Sequence, residues 1–100
     1  MPINYKAVLT EAFTAPVTPE QGIGACRVYV SLAEKEHAKG IAAAAKALGK
    51  IFQKKAYYGL TNALYIGYDN FSGRELARGT TVQRILTEAG IRCYRSEEGD

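Results

Sequence analysis

The sequence predicts an α+β fold, a two-layer α/β sandwich with a four-stranded mixed sheet, elements in the order β-β-α-β-α-β and two helices on one face. Three observations lead there. Apolar and polar residues alternate in short runs bounded by glycines and polar turns, the pattern of half-buried strands. Two stretches, Ser31 to Glu34 and Ser72 to Glu75, match the S-x-x-E capping box, and each opens a run with helical spacing. The 100 residues are 47% hydrophobic, enough to bury one core without disulfides or metal.

Ile3 to Phe13 alternates in part, Tyr5, Ala7 and Leu9 against Lys6 and Thr10, and gives way to the turn-forming run Thr14 to Glu20. It reads as a first strand and its loop. A second strand over Gly22 to Val30 sets Cys26, Val28 and Val30 against Arg27 and Tyr29. A helix starting at Thr18 competes for these residues, but Gly22, Gly24, Val28 and Val30 disfavour it. Gly22-Ile23-Gly24 precedes a strand instead of joining a strand to a helix, so it reads as a turn and not a phosphate loop.

The Ser31 box then opens a long helix that ends near Lys55, with Gly59 as the break after it. A third strand lies within Ala63 to Tyr68. The Ser72 box opens a second helix that runs towards Ala89 and stops at Gly90; Gly79 interrupts it, and Thr80 to Gln83 offers a later start. Ile91 to Arg95 is the last strand. The chain is therefore a single domain, residues 1–100, in which residues 96–100 form an acidic tail expected to be mobile.

With two right-handed parallel crossovers, both helices fall on one face of the sheet. Strand alternation then turns Cys26, Val28, Val30, Leu64, Ile66, Ile91 and Cys93 towards the helices, and Arg27, Tyr29, Tyr65, Arg92 and Tyr94 towards the uncovered side. Such a tyrosine–arginine face can stack unpaired bases and hold phosphates, or dock on a protein partner or a second copy of the chain.

The clearest functional pattern is a lysine stripe. Lys35, Lys39, Lys46, Lys50 and Lys54 are spaced four, seven, four and four apart, which on a continuous helix places them within an arc of about 100° along roughly 28 Å. Ile41, Ala44, Ala45, Leu48, Ile51 and Phe52 occupy the opposite arc and are expected to meet the core. The formal charge of +3 admits nucleic acid or an acidic protein as partner but does not demand either. Tyr57 and Tyr58, beside Lys54 and Lys55, make a second basic-aromatic cluster.

Other chemistry is sparse. Cys26 and Cys93 sit on strands without metal spacing and read as buried thiols. His37 is the one histidine and reads as a structural or surface residue. No zinc spacing, P-loop or nucleophile elbow occurs, so the expectation is a non-catalytic module without cofactor. No apolar run is long enough for a membrane span, and the N-terminus lacks a signal core, which suggests a cytoplasmic protein.

Asp69-Asn70-Phe71-Ser72-Gly73-Arg74 follows a strand and opens a helix. This stretch resembles the acidic strand-to-helix segment of the Toprim domain of primases and topoisomerases, and the resemblance implies a magnesium site for phosphoryl transfer. It departs from that pattern at Phe71, where a second acid is expected, in a spacing to Gly73 that is one residue short, and at Ala12 after Glu11. The alternative for Asp69, Asn70 and Ser72 is a capping and turn role.

Overall fold

The computed structural model describes residues 2–22, 24–56 and 59–99, among which the chain forms three α-helices and one four-stranded sheet. Met1, Ile23, Tyr57, Tyr58 and Asp100 lie outside the described residues, and with them the Tyr57–Tyr58 cluster and the middle of the Gly22–Gly24 turn.

The first element is a helix where the alternation predicts a strand. Helix α1 (Tyr5–Thr14) gathers Tyr5, Val8, Leu9, Ala12 and Phe13 on one side, at i, i+3, i+4, i+7 and i+8. Only the helical period brings all five together, and Leu9 and Ala12 have no exposed surface. Asn4 caps the helix, its Oδ1 accepting from the Ala7 N–H at 3.1 Å. At the other end the Arg78 guanidinium donates to the Ala12 and Ala15 carbonyls at 2.9 and 2.6 Å.

Strand β1 (Ala25–Leu32) comes next and contains Ser31, which therefore caps no helix. A 3-10 turn (Lys35–His37) leads into α2 (Ala38–Ala47), half the length the lysine spacing suggests. Gly49 ends it. At φ 72° its N–H bonds to the Lys46 carbonyl, while the Lys50 N–H bonds to the Ala45 carbonyl at 2.8 Å, a Schellman closure that reverses the chain. The reversed chain enters an antiparallel hairpin of β2 (Phe52–Lys55) and β3 (Thr61–Asn70). Lys50 and Lys54 are thus not helical.

Helix α3 (Arg74–Glu88) runs uninterrupted through Gly79 and closes with the same two bonds at Gly90. A Cβ at Gly79 would lie 2.8 Å from Val28 Cγ1, so this glycine lets the helix settle on the sheet. Strand β4 (Cys93–Gly99) is longer than expected. Residues 96–99, anticipated as a tail, pair with Tyr29, Val28, Arg27 and Cys26.

The sheet order is β2-β3-β1-β4, and every neighbouring pair is antiparallel, so the sheet is not mixed. The parallel arrangement fails because the α2 crossover delivers the chain to a hairpin, whose returning strand β3 lies beside β1 in the opposite sense. The element order is correspondingly α-β-α-β-β-α-β. Helix α3 packs on β1, β3 and β4, α2 on β2, and α1 on both other helices.

The core lies between helices and sheet, where Val30, Leu64 and Ile91 meet Leu9, Ile41, Val82 and Leu86, and a smaller cluster joins Cys26 and Val28 to Leu76. All seven residues expected to face the helices do so or pack at the margin of that core, and Cys26 and Cys93 are buried free thiols. No helix among the described residues is long and apolar enough to cross a membrane.

Candidate functional site

Breaking the lysine stripe creates a different cluster. Lys35 and Lys39 project from the 3-10 turn and the first turn of α2, and Lys54 and Lys55 come from β2. All four line one groove of about 790 Å³ between α2 and the end of the hairpin. Ala38, Ala42 and the half-buried Phe52 supply its apolar surface, and Thr61 and Asn62 its uncharged polar groups. Among the described residues no carboxylate lines it. Asn62 holds the left-handed conformation, φ 50°, where the hairpin's return strand begins.

The remaining stripe residues lie elsewhere. Lys46 is exposed in the last turn of α2, and Lys50 sits with Nζ 4.5 Å from the centre of the Phe13 ring, a cation–π contact with α1. Lys55 joins the groove although the stripe omits it. The signal that finds it is the Leu48-Gly49-Lys50 stop, which folds β2 back alongside α2.

The sheet's outer face does not hold five comparable side chains. Tyr29 is 2% exposed, its ring 5.4 Å from that of Tyr65 across the β1–β3 pair, and Ala63 in the same face is fully buried. Arg27 lies opposite Tyr68 and Glu98 at the other end of the strand. Tyr94 is 55% exposed, and Arg92, just before β4, donates to its hydroxyl at 3.5 Å while standing 3.9 Å from a Glu34 oxygen. The Tyr94 hydroxyl and the Glu34 charge raise the Arg92 pKa further. The candidates thus divide into a Tyr29–Tyr65 pair, buried at Tyr29 and half-buried at Tyr65, an exposed Arg92–Tyr94 rim, and Arg27 apart from both.

Asp69 carries no exposed surface. Its Oδ1 accepts from the Gly73 N–H at 2.9 Å and the Ser72 hydroxyl at 3.4 Å, and its Oδ2 from the Glu75 and Leu76 N–H groups at 2.8 and 3.1 Å. The Glu75 and Leu76 N–H groups are first-turn donors of α3. Gly73, the cap residue, has no side chain to serve them, and none would fit, since a Cβ there would overlap the Glu20 carbonyl oxygen. Burial pushes the Asp69 carboxyl up, but the four hydrogen bonds outweigh it and hold it below the usual range. Glu11 is exposed on α1, and among the described residues no group of three or more His, Cys, Asp or Glu is placed to hold a metal ion.

His37 binds α1 to α2, its Nδ1 2.8 Å from the Tyr5 hydroxyl and its Nε2 3.7 Å from Glu36. A second polar cluster ties the loop before β1 to the sheet: Arg95 reaches Glu20 at 2.9 Å, Thr80 at 2.7 Å and the Leu76 carbonyl at 3.1 Å, with Glu97 beside it. Both clusters hold elements together. No protein-family model matches the chain, and no curated protein or solved structure is significantly similar to it.

Proposed function

We propose that this domain is a non-catalytic module that binds nucleic acid through the lysine-rimmed groove between α2 and β2. One observation carries the reading: four lysines from two separate segments line a single groove whose described lining contains no carboxylate. Like charges held together without a counter-charge repel one another, so an arriving polyanion relieves that repulsion and releases its own counterions. Lysine is suited to phosphate as a point charge, without the fixed geometry of arginine.

The test is binding of a labelled oligonucleotide across a salt series, comparing Lys39→Gln/Lys54→Gln with Lys46→Gln/Lys50→Gln. The groove pair should flatten the slope of log K against log salt by about 1.4, roughly 0.7 for each lost contact to a single strand. The other pair, outside the groove, should leave it nearly unchanged. Equal effects from the two pairs would defeat the assignment. A second reading, a protein-interaction or inhibitor module that docks or dimerises through the sheet, draws on the exposed Arg92–Tyr94 rim, tyrosine and arginine being favoured at interfaces. It predicts a change in molar mass or partner capture that Tyr94→Ala abolishes.

A further inference from the structure

We infer that the groove accommodates an unpaired nucleotide of a single strand, its base against the apolar floor and its neighbouring phosphates on the rim lysines; this rests on the nucleic-acid reading above. The lining argues for it. A surface that only follows a duplex needs cations and nothing beneath them, because the duplex presents phosphates outward and keeps its bases stacked inside. Here Lys35, Lys39, Lys54 and Lys55 line the same recess as the apolar Ala38, Ala42 and Phe52.

The recess, about 790 Å³, falls in the size range of pockets that enclose small ligands, and a duplex resting on the rim would leave its apolar floor uncovered. A base released from stacking has two apolar faces and loses little by leaving water for such a floor. Ala38 and Ala42 lie four residues apart on α2 and so share one helix face, and being small they leave the recess open. Thr61 and Asn62, at the hairpin end, offer hydroxyl and amide groups to a base edge or, in RNA, to a 2′-hydroxyl.

The experiment compares three labelled oligonucleotides of one length with the full chain: a single strand, its duplex, and a strand with abasic positions that keeps every phosphate and lacks bases. DNA and RNA single strands are run in parallel, since the shared phosphate and base chemistry admits both. The single strand should bind tightest, and the abasic strand should lose roughly tenfold or more, the scale of one stacked base. Ala42→Leu, which fills the floor without changing charge, should weaken single-strand binding while leaving any residual duplex binding as it was. Equal affinity for intact and abasic strands, or a duplex bound as well as a single strand, overturns the inference and leaves the nucleic-acid reading standing. Failure of all three oligonucleotides to bind a folded protein removes both and turns attention to an acidic protein partner.

Discussion

Replacing Asp69 by asparagine separates a capping carboxylate from a metal ligand. In the folded chain Oδ1 serves Gly73 and Ser72 while Oδ2 serves Glu75 and Leu76, so both oxygens are committed. Asparagine keeps one oxygen and converts the other into an amide NH2, a donor aimed at donors. Whichever way the amide turns, at least one buried backbone N–H loses its acceptor and the charge assistance disappears. Each such loss costs about 1–3 kcal/mol, giving roughly 2–5 kcal/mol in all. Stability for a chain of this length is expected at about 5–15 kcal/mol, so the variant should melt at least about 10 °C lower.

The pH dependence has a definite sign. The folded carboxyl lies below its ordinary value, so its contribution is complete above the unfolded value of about 3.9 and is lost as pH falls through the folded one. Urea unfolding at neutral pH and again below about pH 4 should show Asp69→Asn to be the weaker protein at neutral pH, with a shallower decline in acid. A variant within about 0.5 kcal/mol of the parent, with the same acid slope, refutes the cap. A metal ligand behaves oppositely, since removing it relieves charge and leaves the fold intact.

Backbone geometry dictates three further outcomes. Gly49→Ala and Gly90→Ala each place a side chain at positive φ in open space, so both should cost about 1 kcal/mol in chemical denaturation, and unequal costs would show that the two helix ends are not equivalent. Gly79→Ala should gain about 1 kcal/mol of helix propensity yet lose about 1–3 kcal/mol by overpacking against the stiff Val28, so a net stabilisation would disprove the close approach. Gly73→Ala combines positive φ with a Cβ driven into a backbone oxygen, and circular dichroism should show a largely unfolded chain; a native spectrum with an unchanged melting curve would contradict the placement of the loop before β1.

Much of the core was legible because strand alternation is local. Cys26, Val28, Val30, Leu64 and Ile91 face the helices as their spacing implies, and the helix that ends at Gly90 is read from its glycine. Tyr5 to Phe13 misleads because an amphipathic helix and a half-buried strand share Tyr5 and Leu9, four apart; Val8, Ala12, Phe13 and the Asn4 cap are what distinguish them. The sheet direction was not legible at all. It depends on whether the residues after α2 cross over or turn back, which no periodicity within a strand records.

The tyrosine–arginine face failed for another reason. Alternation assigns a side chain to a face but says nothing of how much that face is exposed, and Tyr29 is buried on the side expected to be open. The bulge at Ile66 adds to this: it gives β3 one residue more than β1 and brings Gly67 and Asp69 to the helix side, where Asp69 can reach α3. An alternation carried unbroken from Leu64 would put Asp69 on the outer face.

Gly49 and Gly90 close their helices with the same pair of hydrogen bonds, yet only the second is obvious, because at Gly49 the lysine spacing continues across the stop. That continuation matters to the proposed site. On an unbroken helix the five lysines would form a ridge, convex and fully solvated, where each ammonium is screened and a ligand finds no wall. Folding the chain back at Gly49 brings Lys54 and Lys55 to the same recess as Lys35 and Lys39, and positive charge lining a recess has its potential concentrated between the walls. Gly49→Ala therefore reaches beyond stability: loosening this stop should weaken oligonucleotide binding even though Gly49 does not line the groove, whereas the equally costly Gly90→Ala should not.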